Sequence, residues 1–178
     1  MIAGILGGMP HPKPARLRSL AAVLTAVAAT LLLVAGCGSR TTAEGSQLEF
    51  SAQTLDGRPF SGASLKGRPA VLWFWAPWCP VCQQDAPLVA QVATANPAVT
   101  FVGVGARDQL GALQDFVSKY GVDGFTELND ADAVVWTRFG VTRQPAYAFI
   151  SPDGQVEVVK GSLPEAELSS RVQALTAP

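Results

Sequence analysis

The sequence predicts an α/β fold: a central mixed β-sheet flanked by helices, with a small β-hairpin extension on its N-terminal side. Three observations carry this. The run Ala70–Trp75 (AVLWFW) is apolar at every position, as in a strand buried on both faces of a helix-covered sheet. Beyond it, extended runs alternate with runs of helical period. Near the C-terminus, Pro152-Asp153-Gly154 joins two extended runs, which makes that pair antiparallel.

The elements follow in order. Leu48-Glu49-Phe50 begins an extended segment, and Asp56-Gly57 followed by Pro59-Phe60 is a hairpin turn signal. After the apolar strand, Pro77–Cys82 leads into a helix over about 81–95, which Pro87 is expected to kink. Val99–Val104 (VTFVGV) is the next strand. Asp108–Tyr120 carries Leu110, Leu113, Phe116 and Val117 at helical spacing, with Gly121 placed as its C-cap. Phe125–Leu128 reads as a short extended piece and Asp130–Phe139 as a short helix. Ala146–Ile150 and Val156–Lys160 flank the turn at Pro152. Leu163–Leu175 is a last helix, with Ser162 or Pro164 near its start and Val172 and Leu175 on its apolar face.

The first 36 residues do not belong to this domain. Lys13, Arg16 and Arg18 precede Leu20–Gly36, 17 residues without a charge, the layout of an export signal and short for a membrane span. The run ends in Val34-Ala35-Gly36-Cys37, which resembles the lipobox of bacterial lipoproteins. That resemblance implies cleavage before Cys37, with a diacylglycerol on its thiol; Val34 stands where Leu is usual. The other reading is an uncleaved signal anchor with an incidental cysteine. Both put the remainder outside the cytoplasm, the first as a lipid-anchored protein on the outer face of the cell membrane. The chain then divides into a signal (1–36), a lipidated cysteine with a flexible tether (37–47) and a folded domain (48–178). Met1–Gly8 is apolar and precedes the basic residues, so Met9 is a second candidate for the start.

Composition narrows the chemistry. With 48 % hydrophobic and 15 % charged residues, the chain has the makings of a core and is not a disordered protein. The 13 basic and 14 acidic residues leave no surplus to neutralise phosphates, which argues against nucleic-acid binding. Cleavage removes Lys13, Arg16 and Arg18 and leaves 10 basic against 14 acidic residues. The one histidine, His11, and both methionines go with the signal. A domain without histidine runs neither a Ser-His-Asp nor a Cys-His mechanism, and it lacks the usual ligands of zinc and copper.

Two cysteines remain in the folded part, in Trp78-Cys79-Pro80-Val81-Cys82. On the first turn of a helix, this spacing lets the two sulfurs approach bonding distance. The first thiol then sits among unpaired N–H groups at the positive end of the helix dipole, which favour thiolate. Thiolate is the attacking species in disulfide exchange. The second cysteine, one turn deeper, is poised to resolve the mixed disulfide. Half of a zinc site would need two more ligands, and a purely structural disulfide would close a very small loop and constrain little of the unfolded chain. Redox chemistry is the remaining reading.

Trp75-Ala76-Pro77-Trp78-Cys79-Pro80-Val81-Cys82 is similar to the W-x-x-W-C-x-x-C signature of thioredoxin-fold oxidoreductases, and Val141-Thr142-Arg143-Gln144-Pro145 continues the match just before a strand. The runs PAVLWFWAPWCP and GVTRQPAYAF most resemble the actinobacterial DsbF/DsbE-type exported thiol–disulfide oxidoreductases, over roughly residues 48–175. The resemblance implies a thioredoxin fold. It makes Cys79 the attacking thiol and Cys82 the buried resolving one, with Trp78 and Pro80 beside the first thiol in support. It also implies a cis Pro145 packed against the disulfide, with Gln144 offering backbone hydrogen bonds to a bound substrate strand. Without the motif, Pro145 would read as an ordinary trans turn proline. Trp73 reads as a core aromatic; Trp75 either frames the site or belongs to the core.

Two positions depart from the pattern. Thioredoxins carry a buried Asp six residues before the first cysteine, where this chain has Trp73. Reductase-like members place a Glu three residues after the second cysteine, where this chain has Asp85. On a helix that residue shares a face with Cys82. Asp85 is thus either a proton shuttle for Cys82 or a solvated carboxylate.

The expected direction is oxidation. Disulfides form and persist outside the cytoplasm. A helix terminus contributes about 0.3–1 kcal/mol, up to about 2. No Lys, Arg or His lies between Trp73 and Ala86, and Asp85 opposes the dipole. A moderate oxidant is expected, which forms disulfides in exported cysteine-containing proteins and is reoxidised by a membrane partner, quinone-linked by the resemblance. The alternative is an exported reductase of the cytochrome c maturation type, fed by an electron-donating membrane partner. Neither needs a cofactor or a metal. A thiol peroxidase would need P-x-x-x-[ST]-x-x-C, which is absent. A redox-inert binding lipoprotein using the groove beside Pro145 is the non-enzymatic reading.

Overall fold

The computed structural model describes residues 47–177. The expected export signal, the lipidated Cys37 and most of the tether lie outside the described residues. Among the described residues, no helix is long and apolar enough to cross a membrane.

The elements are β1 (Ser51–Thr54), β2 (Pro59–Ser61), a 3-10 turn (Gly62–Leu65), β3 (Ala70–Trp75), α1 (Pro80–Ala95), β4 (Thr100–Ala106), α2 (Leu110–Tyr120), β5 (Thr126–Asp130), α3 (Val134–Arg138), β6 (Ala146–Ile150), β7 (Val156–Lys160) and α4 (Glu165–Ala174). They form the thioredoxin fold, with one seven-stranded sheet in the order β2-β1-β5-β4-β3-β6-β7. β3 lies inside it, parallel to β4 and antiparallel to β6. All six β3 residues are buried, because helices cover both faces of the sheet. β1 and β2 form the N-terminal hairpin, whose inner strand β1 pairs antiparallel with β5.

The register of β3 positions the chemistry. Trp73 pairs with Gly103 of β4 and with Tyr147 of β6, while Gly103 pairs with Glu127 of β5. Directly paired residues point to the same face of a sheet. Glu127, Gly103, Trp73 and Tyr147 therefore form one row across it. Trp73 and Trp75 share that face and pack with Phe116 of α2, whose ring stacks on Trp75 at 4.2 Å. On the opposite face, Phe74 packs edge-on against Trp136 of α3 and beside Phe139.

Several helix boundaries differ from the sequence reading. α1 runs through Pro87 without a break, anchored by the buried Cys82, Asp85, Ala86, Val89 and Val92. Pro87 lies on its exposed side. The stretch expected as a helix from Asp130 is divided: Asp130 closes β5, and its carboxylate accepts hydrogen bonds from the amides of Val135 and Trp136, both at 2.9 Å. This capping contact starts α3 four residues later than expected. Gly121 ends α2 in the left-handed region, at φ 68, as its placement anticipated.

Candidate active site

β3 delivers the chain to the start of α1. The turn after Trp75 closes with the Cys79 amide donating to the Ala76 carbonyl at 3.1 Å. Cys79 is the N-cap of α1, and its sulfur accepts the Cys82 amide hydrogen at 3.2 Å. Pro80 occupies the first turn, where a missing N–H costs nothing because that donor has no partner within the helix. Gln83 ties the turn to the helix, its side-chain amide donating to the Pro77 carbonyl at 2.8 Å. Cys79 keeps 5 % of its surface and Cys82 none. The two thiols are unbonded. Burial pushes the Cys82 thiol well up, and the neighbouring Cys79 and the Asp85 charge add to the effect.

Asp85 is buried, on the same helix face as Cys82. Its Oδ1 accepts from the Ser162 hydroxyl at 2.8 Å, and its Oδ2 from the Tyr147 hydroxyl at 3.3 Å. Burial raises its proton affinity, and the two hydroxyls oppose that by hydrogen-bonding the charged form. A solvated helix carboxylate would have neither partner.

The Gln144–Pro145 peptide is cis. Ala146 pairs with Phe74, so Pro145 comes to the end of the sheet from which the Cys79 turn departs. The Pro145 carbonyl accepts from the Gly161 amide at 2.8 Å. Gln144 precedes this pairing and is half-buried. Trp78 is 50 % exposed, and its indole N–H donates to the Arg107 carbonyl at 3.2 Å. Arg107 holds a left-handed backbone at φ 62 and lays its guanidinium over Trp136 at 5.1 Å. The Arg107 backbone thus holds Trp78, while its side chain is turned onto Trp136. Trp73 and Trp75 are fully buried, so both belong to the core.

Sequence reasoning missed Glu127. The residue is 7 % exposed, and its carboxyl accepts one hydrogen bond, from Trp75 Nε1 at 3.0 Å, while the buried Oε1 has no hydrogen-bond partner. Burial raises its proton affinity well above that of an ordinary glutamate. A Cβ at Gly103 would lie 1.9 Å from Glu127 Oε2, so the glycine makes room for the acid. The signal was available: a glycine inside a strand marks a close approach, and VGVG carries two. Tyr147 and Ser162 were missed as partners of Asp85 and carry no comparable signal.

The model of the AhpC/TSA family matches residues 45–159. The soluble secreted antigen MPT53 of Mycobacterium tuberculosis is 50 % identical over 165 residues, spanning 90 % of this chain and 95 % of the relative. The thiol-disulfide oxidoreductase ResA of Bacillus subtilis is 28 % identical over 150 residues, 82 % of this chain and 83 % of the relative. Among solved structures, MTB dsbF in mixed oxidised and reduced forms is 61 % identical, with a TM-score of 0.72 over 73 % of this chain and 97 % of that one. A secreted Mycobacterium tuberculosis disulfide oxidoreductase homologous to E. coli DsbE is 55 % identical, with a TM-score of 0.69 over 72 % and 98 %.

Proposed function

Because the chain belongs to the AhpC/TSA family, as a thiol–disulfide oxidoreductase of the DsbE/DsbF/ResA type, we propose that it is an exported oxidase that forms disulfides in secreted proteins through Cys79 and Cys82. The observation that carries this is the pairing of Cys79, at the mouth of α1 with its sulfur on a helix amide, with Cys82 fully buried one turn below. In the oxidised protein, a substrate thiolate attacks the Cys79 sulfur. The Cys79–Cys82 bond breaks and Cys82 leaves, taking a proton from Asp85. A second substrate thiolate then attacks the substrate sulfur of the mixed disulfide and releases Cys79 as thiolate. Two electrons pass from substrate to protein, and a membrane partner removes them.

The remaining roles belong to the same proposal. Gln144 and Pro145 hold the substrate backbone beside Cys79, and Trp78 with Pro80 shapes the rim around it. Export is supported by the secreted character stated for MPT53 and for the DsbE-like protein, whereas anchoring through Cys37 rests on the N-terminal sequence alone. The second reading, an exported reductase, is favoured by Asp85, whose burial beside Cys82 suits a group that removes the Cys82 proton when the dithiol attacks.

Trapping tests the roles. Cys82→Ser in the full chain is expected to accumulate mixed disulfides on Cys79 that reductant releases, and Cys79→Ser to form none and lose exchange. An absence of trapped substrate with Cys82→Ser, in cells that export the protein, would sink the oxidoreductase reading.

A further inference from the structure

The Asp85 carboxyl is gripped from two directions. Tyr147, on β6, reaches Oδ2 from the sheet, and Ser162, between β7 and α4, reaches Oδ1 from the surface. Asp85 and Tyr147 are buried, whereas Ser162 is exposed. Behind Tyr147 stands Trp73, its register partner, whose indole N–H has no hydrogen-bond partner and lies within electrostatic reach of the same hydroxyl. Three side chains from separate strands and a loop thus line up on one carboxyl that shares a helix face with Cys82. The groups facing Asp85 are Cys82 from its own helix, Tyr147 from the sheet and Ser162 from the loop.

We propose that Tyr147 and Ser162 are positioning residues for proton exchange at Cys82: their hydroxyls hold the Asp85 carboxyl toward the buried thiol, and Ser162 is the point where its proton passes to and from water. This rests on the reading of Asp85 as the proton acceptor for Cys82.

In the resolving direction, a proton transfer comes first. Cys82 gives its proton to the Asp85 carboxylate. The Cys82 thiolate attacks Cys79 in the mixed disulfide, the Cys79–Cys82 bond forms, and the bond from Cys79 to the substrate sulfur breaks. The substrate leaves as thiolate, carrying the electron pair. Neutral Asp85 donates to the Ser162 oxygen, and the Ser162 hydroxyl proton moves to water.

Both hydroxyls donate to the carboxylate and so favour its charged form. Without either one, Asp85 holds its proton to higher pH, so the carboxylate that accepts from Cys82 forms only at higher pH. Ser162→Ala also closes the exit. Tyr147→Phe leaves the exit in place and removes only the grip from the sheet.

The test uses the reduced full chain carrying Cys37→Ala, so that only the pair reacts, mixed rapidly with dithiobis-nitrobenzoate. The first release of thionitrobenzoate reads attack by Cys79, and the second reads resolution by Cys82. Tyr147→Phe and Ser162→Ala are expected to move the pH midpoint of the second release up by about one unit. The first release should keep its wild-type profile, and Ser162→Thr should restore the wild-type midpoint. Asp85→Asn should abolish the midpoint. Wild-type midpoints in both hydroxyl variants, beside a lost midpoint in Asp85→Asn, would overturn the grip and leave the Asp85 reading standing. An unchanged midpoint in Asp85→Asn would remove both. Slowing of both releases by one factor at every pH would reduce the hydroxyls to a structural role and also overturn the proposal.

Discussion

Glu127 has its carboxyl walled in by Gly103 and Trp75, and one indole N–H does not replace the water a carboxylate would lose on burial. Burial therefore makes the folded protein hold this proton to higher pH than the unfolded chain, which titrates it at the ordinary value of 4.5. Above that value the unfolded state binds fewer protons than the folded state, so stability falls as pH rises, down to a floor at the raised folded value. Below 4.5 the contribution is fully present. Asp85 and Asp130, both raised chiefly by burial, add slopes of the same sign. Glu127→Gln cannot ionise and still offers an oxygen to Trp75. Its urea midpoint is expected to fall less steeply than wild type as pH rises above 4.5. Identical slopes for the two proteins would show that Glu127 ionises freely in the folded state.

At the scale of elements, two helices begin on side chains that work as caps. α1 starts on the Cys79 sulfur, so the group proposed to attack substrate also satisfies a helix amide. α3 is only five residues long and starts after Ala133, which holds a left-handed backbone at φ 55. So short a helix has little stability of its own. The two carboxylate oxygens of Asp130 hold it by the Val135 and Trp136 amides, and this seats Trp136, whose indole N–H donates to the Val104 carbonyl at 3.0 Å. Asp130→Ala leaves buried amides without acceptors and is expected to cost about 1–3 kcal/mol in urea denaturation. Because Arg107 lies on Trp136 and holds Trp78, the same variant should change Trp78 fluorescence. An unaltered stability would mean that β5 and the Phe74–Phe139 contact hold α3 without its cap.

For the molecule as a whole, direction is a difference between two folded states. In the dithiol form, Cys79 is held by a helix amide and Cys82 is fully buried, which favours the reduced protein. The burial of Asp85 next to Cys82 adds a second negative charge when Cys82 ionises, which opposes release of Cys82 as thiolate. The oxidase reading expects a reduction potential between about −120 and −180 mV against glutathione buffers, reported by Trp78 fluorescence. A value near −270 mV or below would favour the reductase reading, with an electron-donating membrane partner as its requirement.

What the sequence determined by itself is everything that short-range physics specifies. The unbroken apolar run of β3 announced a central strand, the apolar spacing of α2 and its closing Gly121 announced a capped helix, and the two cysteines three apart before a helical run announced a dithiol at a helix mouth. The tertiary structure alone decided which groups surround that dithiol. Trp75 meets Glu127 across 52 residues, Asp85 meets Tyr147 across 62 and Ser162 across 77, and Trp78 meets Arg107 across 29. Periodicity, caps and turn residues encode contacts within a few residues. The partners of a buried polar group follow instead from strand order, and here β3 lies between β4 and β6, with β5 one strand further out. Each strand announced itself, but the row in which Glu127, Gly103, Trp73 and Tyr147 stand exists only once the sheet has closed.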